Sequence, residues 1–145
     1  MASVHASAVL AGARAVLIRG AAGTGKSRLA LALIQAAECG LLPFARLVGD
    51  DRLELAAAHG RLLARPSPRL AGLIEVRGLG IRRMVYEPVA AVGLVVDLGA
   101  PQAERLPIKA QVEIECVFVP MIAIPPARDP LPAVLAWLGT GAAEG

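Results

Sequence analysis

The chain has 145 residues, a net charge of +3 at pH 7 and a hydrophobic fraction of 56%. That fraction exceeds the ~45–50% of ordinary globular proteins, so it excludes a disordered chain and supplies one domain with a sizeable core. The 15 basic side chains are spread along the chain, and only 3% of the residues are aromatic. Nucleic-acid binding favours clustered positive charge and rings for stacking, so the composition argues against it.

Signal, membrane and cysteine patterns predict a protein of the reducing cytoplasm. The first 13 residues lack the basic start of a secretory signal. The uncharged apolar stretches 89–96 and 116–127 are shorter than the ~20 residues that span a bilayer. Cys39 and Cys116 lie far apart without a Cys-x-x-Cys pair, which disfavours a disulfide framework or a zinc site. Because their neighbours are largely apolar, we expect both to be small core residues.

Hydrophobic periodicity predicts an α/β chain with more strand than helix. Short apolar runs indicate buried strands, whereas apolar side chains at helical spacing between Ser27 and Glu38 indicate a helix that ends before Gly40. In chain order, the predicted elements are strands at 6–10 and 15–19, a helix at 27–38, a strand at 45–48, a hairpin around 59–60, strands at 73–76, 90–96 and 112–119, and a helix at 133–138. The proline-rich segment 120–132 is incompatible with a regular helix. We expect one domain over residues 1–145, with 139–145 as a flexible tail.

A glycine-rich segment after the predicted strand 15–19 matches the phosphate-binding pattern GxxxxGK[ST]. Its glycines let backbone N–H groups point inward around phosphate oxygens, and the following helix presents its N-terminal N–H groups to the same anion. The lysine suits the β- and γ-phosphates of a nucleotide, and the serine suits Mg²⁺. The alternative is a plain turn in a chain rich in glycine and alanine. The predicted nucleotide-binding residues are Gly20, Ala21, Ala22, Gly23, Thr24, Gly25, Lys26 and Ser27.

Two adjacent carboxylates, Asp50 and Asp51, follow the predicted strand 45–48. A phosphate-binding loop needs a metal-binding carboxylate, usually at the end of a neighbouring strand. Adjacent carboxylates point in different directions, so one can face an acceptor hydroxyl while the other holds water or metal. A simple Asp-Asp turn is the alternative. The absence of an NKxD segment argues against a GTPase, and the absence of an arginine-rich helical lid argues against a nucleotide kinase.

Glu75 and Arg77 stand two residues apart, so they share one face of a strand that runs into Gly78-Leu79-Gly80. Together they can address a metal and a phosphate. An exposed Glu/Arg pair leading into a loop is the alternative reading of the same residues.

Together these segments resemble the C-terminal catalytic domain of the HPr kinase/phosphorylase family. The resemblance rests on His5 within VHASAVL, the loop at 20–27, the run Asp-Asp-Arg at 50–52 and the run IEVRGLGI at 74–81, in the family's order. It covers about residues 4–128. It implies an α/β domain of the P-loop NTPase type with a strand-rich sheet, similar to phosphoenolpyruvate carboxykinase.

The resemblance also implies an activity. Members of the family use ATP and Mg²⁺ to phosphorylate a serine of HPr, the phosphocarrier of the sugar phosphotransferase system. They also run a reverse step, in which phosphate attacks phosphoserine and releases pyrophosphate. Carried over to this sequence, the implied roles are Asp50 as the base toward the serine hydroxyl, His5 as its support, Lys26 and Arg105 as catalytic cations, and Ser27 and Glu75 as metal-binding residues. From the pair of adjacent carboxylates, Asp51 is the third predicted metal-binding residue.

Two departures from the family keep alternatives open. The family's Pro-Gly-Arg-Asn segment, tied to the reverse step, is matched only loosely by residues 126–129, and a short helix at 133–138 replaces longer helices that help to hold HPr. The resemblance therefore favours the kinase reaction over the phosphorylase reaction and allows a homo-oligomer. The alternatives are a kinase with a small-molecule acceptor and a non-catalytic ATP-sensing module.

Overall fold

The computed structural model describes residues 2–101 and 110–141. The strands of this part are β1 (Ala2–Val4), β2 (Ser7–Ala11), β3 (Arg14–Arg19), β4 (Ala45–Gly49), β5 (Leu53–Ala58), β6 (Arg61–Pro66), β7 (Leu73–Val76), β8 (Gly80–Arg83), β9 (Ala90–Leu98), β10 (Gln111–Ile114) and β11 (Val117–Ile124). The helices are α1 (Lys26–Glu38) and α2 (Leu131–Gly139), with a short 3₁₀ turn at Pro68–Leu70. Neither α-helix in these ranges is long and apolar enough to cross a membrane.

Nine of the described strands form one mixed sheet, in which β3 and β9 lie side by side at the centre. The order is β1-β5-β6-β9-β3-β2-β4, with β11 and its partner β10 added beside β9. β3 and β9 run parallel, with Arg19 opposite Asp97, and β2 is antiparallel to both β3 and β4. β6 pairs with the start of β9 and β11 with its end. The other two strands, β7 and β8, form a separate antiparallel hairpin.

The directions of the strands bring several chain segments to one edge of the sheet. β2 begins where β3 ends, because the two are antiparallel and Ser7 lies opposite Ile18. β4 ends at the same edge, with Gly49 opposite Ala8. β9 and β11 also end there, since β9 is parallel to β3 and β11 is parallel to β9. The residues before β2 and those after β3 and β4 therefore meet in space.

Two hydrophobic clusters cover the two faces of the central strands. Along β3, Val16 and Ile18 belong to one cluster, and Ala15 and Leu17 belong to the other. All four are at most 1% exposed, which explains why this strand reads as a continuous apolar run rather than an alternating one. The first cluster packs the sheet against α1 and α2, and the second lies between the central strands and β5 and β6 of the same sheet. The loop after β3 thus starts from a strand that is fixed on both faces.

The structure confirms the predicted fold class, an α/β domain with a large sheet and few helices. The strands predicted at 6–10, 15–19, 45–48 and 73–76 and the helix predicted at 27–38 are present within one or two residues of their expected bounds. The predicted hairpin at His59–Gly60 joins β5 to β6. The proline-rich segment contains no helix until α2 begins at Leu131. Short β1 and β8 were not predicted, because neither carries a strong apolar signal.

The prediction of one strand over residues 112–119 is wrong. The chain reverses at Glu115 and Cys116, which have φ values of 49° and 64°, and the segment forms the hairpin of β10 and β11. The reversal was missed because residues with a Cβ rarely adopt positive φ, and no glycine, proline or asparagine marks the turn.

The expectation that both cysteines are core residues is also wrong. Cys39 follows the last residue of α1, and Cys116 lies in the turn between β10 and β11. Both thiols are free and exposed. Apolar neighbours in the sequence did not indicate burial here, because each cysteine lies where an element ends and the chain turns.

Both thiols are therefore expected to react with Ellman's reagent in the native, freshly reduced protein, at rates close to those in denaturant. Cys39→Ser and Cys116→Ser each should remove one of the two reactive thiols. Fewer than two fast thiols per chain before denaturation would contradict the exposed positions.

Candidate active site

A glycine-rich loop connects β3 to α1 at the sheet edge where the other segments meet. Gly23 and Gly25 have φ values of 84° and 98°, in the left-handed region that residues with a Cβ rarely adopt. A Cβ on Gly20 would lie 2.5 Å from Oγ1 of Thr24 and 3.2 Å from Cβ of Leu98, so this position has no room for one. The backbone path of the loop therefore requires the glycines of the motif.

Thr24 and Lys26 hold the loop together through its own carbonyl groups. The Thr24 hydroxyl donates a hydrogen bond to the carbonyl oxygen of Ala21 at 2.7 Å. The Lys26 ammonium donates to the carbonyl oxygens of Gly20 at 2.7 Å and Ala21 at 3.2 Å. α1 begins at Lys26 without a capping side chain in the described structure. Its first N–H groups and the ammonium together favour an anion at the loop.

Asp50 is the buried polar centre of the site, with only 4% of its surface exposed. The Ser7 hydroxyl of β2 donates to its Oδ1 at 2.5 Å, and the Ser27 hydroxyl of α1 lies 2.8 Å from both carboxylate oxygens. The backbone N–H of Glu75 in β7 donates to Oδ2 at 3.1 Å. Hydrogen bonds to a charged group are stronger than neutral ones, so this carboxylate ties three separate elements together.

Asp51, the next residue, is exposed and turns the chain. The backbone N–H of Arg52 donates to the carbonyl oxygen of Asp50 at 2.8 Å and closes a tight turn around Asp51. Asp51 has a φ of 70°, an uncommon conformation for a residue with a Cβ. Such strained residues cluster at functional sites. The two adjacent carboxylates therefore differ in kind, since one is buried and hydrogen-bonded while the other faces solvent.

His5, just before β2, is exposed and contacts Arg52. Its Nε2 lies 3.0 Å from Nη2 of Arg52. Because a guanidinium group can only donate, the imidazole accepts through Nε2, which assigns its proton to Nδ1. Arg52 also donates to the Ser3 hydroxyl at 3.2 Å. The described hydrogen bond of His5 thus goes to Arg52 and not to Asp50, its expected partner on the family resemblance.

These side chains surround a cavity of about 720 Å³, which we call the reaction cavity. It is lined by His5, the phosphate-binding loop, Asp51, and Glu75 with Arg77 at the β7–β8 hairpin. Three of the predicted site residues, one of them in the loop, are not part of this lining. Thr24 lines a neighbouring cavity, Asp50 is buried, and Arg105 lies outside the described residues.

Sequence reasoning missed Ser7. It lies two residues after His5, at the start of β2, and both side chains line the reaction cavity. A serine in an otherwise apolar strand was the available signal. The partner that makes it informative, Asp50, is 43 residues away, and the sequence did not indicate that pairing.

The donor groups at the loop fit a Mg²⁺ ion. Within residues 2–101 and 110–141, no group of three or more His, Cys, Asp and Glu side chains forms a cage for a metal. Mg²⁺ does not need one, because it usually keeps several waters and binds one or two carboxylates together with substrate phosphates. The Ser27 hydroxyl beside the Asp50 carboxylate, with Glu75 lining the same cavity, matches that requirement.

Comparisons with known proteins agree in pointing to one family. The sequence profile of the HPr Serine kinase C-terminal domain matches residues 1–125. HPr kinase/phosphorylase of Limosilactobacillus reuteri is 31% identical over 136 residues, which cover 85% of this chain and 40% of the relative. The protein of that name from Mycoplasma mycoides is 38% identical over 90 residues, which cover 57% of this chain and 26% of the relative.

A solved structure has a similar fold. The structure of the Hpr(Ser) kinase/phosphatase from Coxiella burnetii superposes with a TM-score of 0.74 at 26% identity. The match covers 93% of this chain and 91% of that one. By contrast, the chain spans at most two fifths of the length of the two curated relatives above.

Replacing Ser7 with alanine should destabilise the fold, because it removes a buried hydrogen bond to a charged group. The expected loss is about 1.5–3 kcal/mol of unfolding free energy, measured by urea denaturation. Ser3→Ala is the matched control, since that hydroxyl is exposed and its loss should cost less than about 0.5 kcal/mol. Equal stability of the two variants would show that the Asp50 contacts do not support the fold.

Proposed function

The chain belongs to the HPr serine kinase C-terminal domain family, and from this membership we propose that it transfers the γ-phosphate of ATP to a serine of HPr. One observation carries the proposal: a phosphate-binding loop, a Ser27–Asp50 pair suited to Mg²⁺ and an exposed carboxylate, Asp51, meet around one cavity. Phosphoryl transfer needs these three parts to bind the phosphates, neutralise their charge and orient the attacking hydroxyl.

The phosphate-binding residues hold the donor. The backbone N–H groups of the loop and of the first turn of α1 bind phosphate oxygens, and the Lys26 ammonium moves from its two carbonyl partners to the β- and γ-phosphates. Ser27, Asp50 and Glu75 would hold a Mg²⁺ ion, which would supply positive charge to the phosphates. Arg105 lies outside the described residues; on the family resemblance it adds a further positive charge in the transition state.

Asp51 is the better candidate for the group that accepts the serine proton. On the family resemblance that role falls to Asp50, but Asp50 is buried and already accepts hydrogen bonds from Ser7 and Ser27 and from the N–H of Glu75. Asp51 lines the reaction cavity and is exposed to an incoming hydroxyl. A carboxylate is a weak base for serine, but a loose transition state requires little early deprotonation. We therefore reverse the two roles.

His5 and Arg52 then act beside Asp51 rather than on Asp50. Arg52 follows Asp51 in the chain and donates to His5, which lines the reaction cavity. This pair places positive charge close to the proposed base and orients the imidazole. In the reverse reaction the same carboxylate would return the proton to the serine oxygen.

An exposed apolar surface beside the cavity supports a protein acceptor over a small molecule. Leu79 and Ile81 of the β7–β8 hairpin and nearby Val85 are 68%, 63% and 69% exposed. The same hairpin carries Glu75 and Arg77, which line the cavity. Exposed large apolar side chains that are grouped in one segment commonly mark protein-binding sites, and a metabolite would not need them.

The first test of the proposal is phosphoryl transfer from γ-labelled ATP with Mg²⁺ to purified HPr, followed by mass spectrometry of the product. We expect one phosphoserine on HPr, and none with Lys26→Met, which removes the ammonium from the loop. ATP binding without any transfer to HPr would instead favour a different acceptor or a sensor module.

The division of roles between the two carboxylates gives a second test. Asp51→Asn should lower kcat by about 10²–10⁴-fold, as expected for loss of a general base. It should leave thermal stability unchanged, because the residue is exposed and asparagine also tolerates positive φ.

Asp50→Asn is the comparison variant and should destabilise the fold by about 1–3 kcal/mol as well as lowering activity, since it removes a buried charge from its hydrogen bonds. Full activity in Asp51→Asn together with an inactive but equally stable Asp50→Asn would restore the original assignment of the base.

A further inference from the structure

The end of β9 lies against the start of the phosphate-binding loop. Arg19, the last residue of β3, donates from Nε and Nη2 to the two carboxylate oxygens of Asp97 at 2.7 and 2.9 Å. One residue further along, a Cβ on Gly20 would lie 3.2 Å from both the Cβ and the carbonyl oxygen of Leu98. The first residue of the loop therefore has a fixed place beside the end of β9.

We propose that Gly99, the residue after β9, is a positioning residue for phosphoryl transfer, because Thr24 of the loop packs directly against its backbone. A Cβ on Gly99 would lie 3.0 Å from Cγ2 of Thr24 and 3.8 Å from its Cβ. This inference rests on the proposed function and adds to it a residue that sets the shape of the loop without touching the substrate.

Gly99 cannot move away from Thr24, because the chain is held on both sides of it. Leu98 is buried and lies opposite Ile124 in the parallel pairing of β9 with β11. Ala100 is also buried, and its backbone N–H donates to the carbonyl oxygen of Ile124 at 2.9 Å. A side chain at position 99 would therefore have to displace Thr24.

Thr24 is fixed in turn by the loop itself. Its hydroxyl and its backbone N–H both donate to the carbonyl oxygen of Ala21, at 2.7 and 3.2 Å. The hydroxyl oxygen also lies 2.5 Å from the position that a Cβ on Gly20 would take. Because the β-branched threonine has few accessible χ1 rotamers, its methyl group can leave Gly99 only if the hydroxyl leaves Ala21 or the loop shifts.

A displacement of Thr24 would reach Lys26 through a shared acceptor. The carbonyl oxygen of Ala21 also accepts a hydrogen bond from the Lys26 ammonium at 3.2 Å. The directions of the loop N–H groups depend on the same backbone path, which has positive φ at Gly23 and Gly25. A side chain at position 99 would thus misalign both the ammonium and the backbone donors that bind a polyphosphate.

The first test measures the binding of inorganic tripolyphosphate with Mg²⁺ to the 145-residue chain by calorimetry. Gly99→Ala should weaken binding at least about fivefold, within the range of coupling between residues in contact. Gly12→Ala is the matched control, because Gly12 has a similar φ, 70° against 65°, and a Cβ there would meet no atom within 4 Å. It introduces the same backbone strain without a clash, so it should change the affinity less than about twofold.

Thr24→Ser provides the rescue, because it removes the methyl group and keeps the hydroxyl that donates to Ala21. In a Thr24→Ser background, Gly99→Ala should change the affinity less than about twofold, since the contact at 3.0 Å is gone. An equal loss in both backgrounds would overturn the inference. An unchanged affinity of a folded Gly99→Ala chain, or equal weakening by Gly12→Ala, would also overturn it.

Steady-state phosphorylation of HPr separates positioning from a general loss of folded protein. Gly99→Ala should raise the KM for ATP by the same factor as the tripolyphosphate Kd and leave kcat within about twofold, as expected when uniform binding is lost. A lower kcat with an unchanged KM would overturn the inference. If the wild type binds tripolyphosphate but never phosphorylates HPr, only the proposed acceptor fails. If it binds neither tripolyphosphate nor ATP, the proposed function fails and this inference fails with it.

Nuclear magnetic resonance of the wild type gives a readout that does not depend on the folding of a variant. The methyl protons of Thr24 and the α-protons of Gly99 should show a nuclear Overhauser effect that persists when tripolyphosphate and Mg²⁺ are bound. Absence of this effect in the bound chain would overturn the inference, because the loop would then bind phosphate without contact to Gly99.

Discussion

One buried carboxylate, Asp50, holds the site together. It joins a strand, a helix and a hairpin that are distant in the sequence, through the Ser7 and Ser27 hydroxyls and the N–H of Glu75. Burying a charged group is costly unless several hydrogen-bond donors surround it. The three elements must therefore be correctly placed before the Asp50 carboxylate can be buried. Because the Asp50 carboxylate accepts from both Ser27 and the N–H of Glu75, it also sets the distance between the phosphate-binding loop and the β7–β8 hairpin. The stability of the fold and the geometry of the site therefore depend on the same carboxylate.

The arrangement follows from strand direction more than from any single motif. β2 is antiparallel to both β3 and β4. The segment that precedes β2 and the segment that follows β4 therefore lie at the same edge of the sheet as the loop after β3. The parallel neighbours β9 and β11 end there too. Binding sites in open sheets with parallel strands lie outside the carboxyl ends of those strands, and this mixed sheet keeps that rule while using antiparallel strands to add further side chains.

The parts of the structure that local chemistry determines could be predicted from the sequence. The loop at 20–27, its strand and its helix are specified by neighbouring residues, and so is the His59–Gly60 turn. The hairpin at Glu115 was missed because its positive φ is imposed by the surrounding fold. The different surroundings of Asp50 and Asp51 were missed for a similar reason. The burial of Asp50 depends on its hydrogen bond from Ser7, and the exposure of Asp51 depends on the tight turn at that residue. No local sequence pattern distinguishes two adjacent aspartates in this way.

The contacts of Lys26 have a consequence for which anions the loop accepts. Its ammonium already donates to the carbonyl oxygens of Gly20 and Ala21, so an anion gains only the difference between its own bonds and those two. A small monoanion offers little beyond what the carbonyl groups supply, whereas a polyphosphate offers more charge and more oxygens. The carbonyl groups of the loop thus compete with an anion for the ammonium, and this competition favours polyphosphates over small monoanions.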